Sequence, residues 1–166
     1  YSLMIRPAKP ADCETLAEIY NYYIRHTAIT LEEDALDAEQ MSVRQQRVGE
    51  LGLPWLVAEE GDAIVGYAYA NRWRERSAYR FSVESTVYLA PGASGNGCGS
   101  RLYSALFEQL RVLGVHAVIG GITLPNPASV ALHEKMGMQK VAEFPEVGFK
   151  QGQWLDVGYW QLNFQH

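Results

Sequence analysis

The stretch 83–101, VESTVYLAPGASGNGCGSR, changes its hydrophobic pattern twice. It begins with the β-formers Val83, Val87, Tyr88 and Leu89. It then passes four glycines, Gly92, Gly95, Gly97 and Gly99, before Leu102, Leu106, Leu110 and Leu113 recur at the spacing of one helical face. The pattern predicts strand, glycine loop, helix. Alternation on the strand puts Phe81, Val83, Ser85, Val87 and Leu89 on one side and Ser82, Glu84, Thr86 and Tyr88 on the other.

The remaining pattern supplies the elements around this unit. Residues 2–7 read as a first strand. Asp12 is the expected N-cap of a helix whose inner face carries Leu16, Ile19, Tyr20 and Tyr23. Residues 25–34 are polar and irregular, a loop between helices. Asp37 with Gln40 has the capping-box form and opens a second helix to about residue 49 or 50, closed by Gly52 and Pro54. Strands at 55–59 and 63–71 flank a Gly61-Asp62 hairpin turn, residues 72–77 form a charged loop, and the long strand runs 79–89. After the glycine loop and its helix, Gly114 is the stop and 115–122 the next strand. Asn126 followed by Pro127 is a strong helix start, with Gly137 fitting just past the end. Strands at 138–144 and 154–164, joined around 150–153, close the chain. This order predicts one α/β (α+β) domain over residues 1–166, a mixed sheet with helices on both faces.

Composition narrows the class of function. At 166 residues with 48% hydrophobic and 20% charged positions, the chain can bury a real core. A net charge of −5 argues against a nucleic-acid partner. No apolar run reaches the length of a membrane span, and the first residues, YSLMIRPAKP, lack a basic-then-apolar signal pattern, so a cytoplasmic setting is expected. Cys13 and Cys98 have no metal-like spacing, and no metal is expected. Cys13 shares a helical face with Leu16 and Tyr20 and reads as a small buried hydrophobe.

A glycine loop that opens a helix is an anion cradle, because glycines let amide groups turn inward and the helix N-terminus adds partial positive charge. A P-loop reading fails, since Gly99 is followed by Ser100 and Arg101 rather than Lys-Ser/Thr. A dinucleotide fingerprint fails for want of a third glycine where Leu102 stands. The run Ser94-Gly95-Asn96-Gly97-Cys98-Gly99 resembles the acyl-CoA loop of the GCN5-related N-acetyltransferase (GNAT) superfamily at its glycines. It departs from that loop in having Ser94 where Gln or Arg is usual, which reduces side-chain help at the phosphate site, while backbone amides can still bind pyrophosphate.

Further segments make the chain similar to the phosphinothricin acetyltransferase branch of that superfamily. They are Glu84-Ser85-Thr86-Val87-Tyr88, the stretch 73–79, Leu124-Pro125-Asn126 with His133-Glu134, and the tail 148–158. The resemblance implies a mostly antiparallel GNAT-like sheet, acetyl-CoA as co-substrate and a small-molecule amine as acceptor. It further implies the α-amine of an amino-acid analogue such as phosphinothricin or methionine sulfoximine, and a homodimer that closes the substrate pocket. A polyamine or peptide amine, or a non-catalytic acyl-CoA-binding module, are the competing readings.

Site residues follow from both arguments. A carboxylate in a central strand needs a partner or a task. Glu84 lies five residues before Leu89, roughly 16 Å at ~3.3 Å per residue, about the length of an extended pantetheine arm. With pyrophosphate in the loop, the thioester reaches Glu84, which suits a general base for a protonated amine. The bland alternative is a Glu paired with a neighbouring Arg. His133 shares a helical face with Asn126, Ser129 and Val130. It stands where the superfamily often has a Tyr that protonates the thiolate, so it is the second catalytic candidate, or a residue that positions CoA, or an ordinary helix histidine. Expected cofactor contacts are Thr86, Val87, Tyr88 and Leu89, then Ser94, Gly95, Asn96, Gly97, Cys98, Gly99 and Ser100, then Asn126, Ser129 and Lys135. Arg72, Arg74 and Arg76 alternate before the strand, and Arg74, Arg76 and Tyr79 are the expected substrate contacts, since arginine suits carboxylate or phosphinate. Residues 27–31 are expected near the same pocket, while Trp73 and Trp154 are expected to pack. Cys98 reads as a buried filler within the loop.

Overall fold

A computed structural model describes residues 3–93 and 97–165. Among them seven strands form one sheet in the order β1-β2-β3-β4-β5-β7-β6, antiparallel throughout except between β4 and β5. The strands are β1 (Leu3–Pro7), β2 (Trp55–Glu60), β3 (Ala63–Arg72), β4 (Ser82–Leu89), β5 (Ala117–Thr123), β6 (Gln139–Lys150) and β7 (Gln153–Asn163). Period-2 alternation assigns their faces. Leu56, Ala58, Ala68, Ala70, Val83 and Val118 meet α3 (Cys98–Val112), whose Leu102, Leu106 and Leu110 are fully buried. Trp55, Val57 and Tyr67 meet α1 (Cys13–His26) and α2 (Ala38–Glu50) through Leu16, Ile19, Ile24, Met41 and Val48. The expected mixed, mostly antiparallel sheet with helices on both faces is the one observed.

Local signals explain several boundaries. The Asp37 carboxylate accepts from the Gln40 amide at 2.8 Å while Gln40 Oε1 accepts from the Asp37 amide at 2.9 Å, so the capping box starts α2. Asn126 Oδ1 accepts from the Ser129 amide at 3.2 Å, and Pro127 begins α4 (Pro127–Lys135).

Other expectations are corrected. Asp12 does not cap α1, because Arg6 holds its carboxylate at 2.9 and 3.0 Å and the Lys9 amide donates to it at 2.6 Å. Those bonds, the Arg6 contact first, hold the Asp12 carboxyl below the usual carboxylate range. The central strand starts at Ser82 rather than at 79, since Ser77–Tyr79 form a 3-10 turn. Leu113 lies past the end of α3 and is exposed. Strand β5 spans Ala117–Thr123, not 115–122. Strand β6 continues to Lys150, well beyond 144, because a register shift between Phe144 and Gly148 absorbs Pro145, Glu146 and Val147 without ending the pairing. No described helix is long and apolar enough to cross a membrane.

Candidate active site

The parallel pair at the sheet's centre separates as it runs. Strand β4 pairs with β5 at Ser82, Val83 and Glu84 only, opposite Ala117, Val118 and Ile119. Beyond that point β4 stays with β3 to Leu89, and β5 stays with β7 to Thr123. Residues 85–89 and 120–123 therefore face each other across a gap with no ladder between them. Main-chain donors and acceptors on those edges are available to an elongated polar ligand.

Glu84 stands where the strands part. It lines a cavity of about 230 Å³ with Ile29, Thr30, Leu31, Ser85, Thr86, Val87, Tyr88, Tyr103, Gly121, Asn126, Ser129, His133 and Tyr159 among others. Burial pushes the Glu84 carboxyl pKa up, and the positive charge of Arg74 pulls against it. Among the described residues Glu84 has no ion pair, unlike the Glu32 carboxylate, which Arg44 grips at 2.6 and 2.7 Å.

Two consecutive glycines in β5 make room on opposite faces. A Cβ on Gly120 would meet the His133 ring at 2.7 Å, and a Cβ on Gly121 would lie 3.1 Å from Tyr159 and 3.6 Å from Glu84 Oε2. His133 is 3% exposed. Its Nδ1 lies 2.7 Å from the Ser129 carbonyl oxygen, so Nδ1 carries the proton and donates it there. Nε2 is then the acceptor, facing the Tyr103 hydroxyl at 3.4 Å. Burial lowers the His133 pKa, so the ring is held neutral, and its one proton is committed to the carbonyl.

The loop 27–37 covers the cavity and is pinned from three sides. Lys150 Nζ donates to the Thr30 carbonyl at 2.8 Å, Tyr20 and Thr30 share a hydroxyl hydrogen bond at 2.8 Å, and Leu31 occupies the space left by Gly148. On the Glu84 side stands an aromatic wall. Trp73 meets Tyr159 edge-on with centroids 5.8 Å apart, and Tyr159 meets Phe144 likewise at 5.7 Å. Arg74 lies over Trp73 at 4.4 Å from the ring centroid.

The chain matches the family model described as Acetyltransferase (GNAT) family over residues 16–138. It belongs to the GNAT family. An L-methionine sulfoximine/L-methionine sulfone acetyltransferase of Salmonella typhimurium is 38% identical over 96% of this chain and 94% of its own length. A phosphinothricin N-acetyltransferase of Streptomyces viridochromogenes is 37% identical over 97% of this chain and 87% of its own. A GNAT superfamily phosphinothricin acetyltransferase from Sinorhizobium meliloti, solved in complex with acetyl-CoA, superposes with a TM-score of 0.94 at 36% identity, covering 98% of this chain and 89% of that one.

The GNAT fold brings some of the expected site residues together and separates others. Glu84, Thr86, Val87, Tyr88, Asn126, Ser129 and His133 share the central cavity, as do Ile29, Thr30 and Leu31. Leu89 does not line it. Its side chain packs toward Gly66, and its carbonyl accepts from the Tyr23 hydroxyl. Arg76 lines a different cleft with Arg72, Arg74, Arg80, Leu51 and Leu53, and Tyr79 is exposed on its 3-10 turn. Arg74 lines that cleft too, and it is the arginine whose charge reaches Glu84.

Ser94, Gly95 and Asn96 lie outside the described residues. Gly97 takes a positive φ of 73° and delivers the chain into α3. Gly99 is pressed against α4, where a Cβ would lie 3.0 Å from Leu132. Cys98 is buried, and burial raises its thiol pKa, as a packing role requires. Ser100 and Lys135 line an open depression beside β1 that also holds Arg101 and Ser104.

Ser85, Tyr103, Gly121 and Tyr159 line the cavity, Gly120 abuts His133 and Arg101 lines the outer depression, and none of them carries a local sequence signal for a site role. Tyr103 sits next to the apolar face of α3 and reads there as core. Arg101 bears, in the sequence, only on the P-loop reading.

Proposed function

We propose that this GNAT chain transfers an acetyl group from acetyl-CoA to the α-amine of a small amino-acid analogue, of the phosphinothricin or methionine sulfoximine kind. The single observation behind this reading is the Glu84 carboxyl, raised in pKa and without an ion pair among the described residues, at the narrow end of the β4–β5 gap. The residues present suit the co-substrate. The open strand edges match the amides of a pantetheine arm. Arg101 and Lys135, near the start of α3, offer positive charge where phosphates would lie. Acetyl-CoA supplies the activated acyl carbon.

Glu84 takes the proton of the ammonium group, directly or through one water. Main-chain amides along 85–89 polarise the thioester oxygen. Neutral His133 fixes the Tyr103 hydroxyl rather than acting as the acid. Arg74 binds the carboxylate or phosphinate end of the acceptor, and the Trp73–Tyr159–Phe144 wall bounds its apolar part.

The reading is tested by following free thiol while acetyl-CoA is incubated with phosphinothricin, methionine sulfoximine, a polyamine and a short peptide. Faster turnover of the amino-acid analogues supports it. Preference for the polyamine or peptide would change the acceptor, and no thiol with any amine would leave a binding module. Arg74→Ala should raise KM for the amino-acid acceptor about 10- to 100-fold, the worth of a charge-assisted hydrogen bond, with CoA affinity unchanged. Arg74→Lys should recover only part of that loss, because lysine lacks the planar fork.

We also propose a homodimer. The edge strand β6 exposes Val141, Phe144, Val147 and Phe149, an apolar strip that an unpaired edge would ordinarily avoid. Sedimentation should give a dimer mass, and a Val147→Lys/Phe149→Lys pair should shift it to monomer.

A further inference from the structure

One polar group in the Glu84 cavity has no task in the scheme above. Ser85 is 4% exposed and lines the cavity, and among the described residues its Oγ has no hydrogen-bond partner. It lies near enough to the Tyr103 phenol to temper that group's burial-raised pKa, yet outside hydrogen-bonding geometry. A buried hydroxyl left unpaired is costly to a fold, and such a group in a site points to a ligand.

The other hydroxyl and imidazole groups on its side have neighbours of their own, the Ser129 hydroxyl lying 3.4 Å from His133 Nδ1. The His133 proton goes to the Ser129 carbonyl, and the Tyr103 hydroxyl faces His133 Nε2. Glu84 and Ser85 are adjacent on β4 and so project from opposite faces of the sheet. Glu84 looks toward Gly121 and Tyr159, while Ser85 looks toward α3 and Tyr103. An acyl carbon held between the splayed strands is therefore met by base on one face and by a free hydroxyl on the other.

We propose, building on the acetyl-transfer reading, that the Ser85 hydroxyl donates a hydrogen bond to the sulfur of CoA as the acetyl group leaves it. The first ammonium proton, once taken by Glu84, passes to solvent; the neutral amine nitrogen then bonds to the acyl carbon from the Glu84 side, and Glu84 accepts the second proton as the amide forms. The C–S bond breaks toward the other face and its electron pair stays on sulfur. Ser85 stabilises that thiolate by hydrogen bonding without giving up its proton, and the thiolate is protonated by solvent on release. Ser85 then suits a group that bears charge only late in the reaction, which is when a preorganised donor helps most.

Ser85→Ala removes only the hydroxyl and so separates this role from packing. Three measurements are made on wild type and variant: thermal midpoint, kcat with the preferred amine, and the titration of bound CoA thiol by ultraviolet absorbance of its thiolate. The expected result is an equal or higher midpoint, retained CoA binding, kcat lower on the order of 100-fold, and a bound thiol that ionises at a pH about one unit higher. If CoA binds both proteins with the same thiol titration and the same kcat, the Ser85 role is overturned and the acetyl-transfer reading stands. If the variant loses midpoint and CoA binding together, Ser85 is a packing residue and the role is likewise overturned. If CoA binds neither protein, the acetyl-transfer reading falls and the Ser85 role falls with it.

Discussion

Glu84→Gln is expected to lower kcat by about 10²- to 10⁴-fold, the usual worth of a positioned general base, while CoA still binds. Glutamine keeps the shape of the side chain, so the loss measures proton transfer rather than packing. The wild-type pH profile carries a second signature. Burial raises the Glu84 pKa, so as pH falls the base is protonated above the ordinary carboxyl value near 4.5, and kcat/KM should decline there. The same shift has a consequence for stability. The folded state binds this proton more tightly than the unfolded chain, so between the unfolded and the raised folded pKa the Glu84 contribution falls as pH rises. At neutral pH the carboxylate is a net cost to the fold, and Glu84→Gln should melt at an equal or higher temperature than wild type at pH 7. Near-wild-type turnover in the variant would remove Glu84 from the chemistry.

Gly120→Ala should be among the damaging single-methyl changes in the sheet. Its Cβ would stand 2.7 Å from both Cδ2 and Nε2 of His133, and 3.5 Å from the Met138 methyl. The ring cannot retreat freely, because its Nδ1 is tied to the Ser129 carbonyl on α4 and it is buried on all sides. Overpacking of this kind costs about 1–3 kcal/mol, or a drop of roughly 2–10 °C in Tm for a chain of this size. Any movement of the ring also releases the Tyr103 hydroxyl, so kcat should fall with Tm. Gly49→Ala is the internal contrast. Gly49 lies in α2 with nothing within 4 Å of its would-be Cβ. That substitution should leave Tm unchanged or raise it, since alanine favours a helix. Equal midpoints for wild type and Gly120→Ala would mean that the histidine is not confined as described.

What the sequence made legible were local devices whose physics is complete within a few residues. The Asp37–Gln40 box and the Asn126–Pro127 start need only a turn of helix, and both are present. The facing of Glu84 needs only a period of two. Site residues that depend on pairing across the chain were not legible. Nothing in the strand patterns shows that β4 and β5 pair for three residues and then separate. The Tyr103–His133 contact joins residues 30 apart, and Ser85 becomes notable only when its surroundings show no partner. Asp12 looked like a cap because its type and position were right, but Arg6 and the Lys9 amide compete for the same oxygens and win. Arg74 and Arg76 share one cleft and Tyr79 sits exposed on a 3-10 turn, an arrangement that the alternation of arginines in the sequence does not show.

The arrangement as a whole stands or falls on where the thiol end of CoA comes to rest. A crystal structure of the protein with CoA should show the pantetheine arm lying between residues 85–89 and 120–123, with its sulfur at the narrow end of the gap beside Glu84 and Ser85. An arm bound elsewhere on the surface, or a sulfur directed out of the cavity with those strand edges left unpaired, would contradict it.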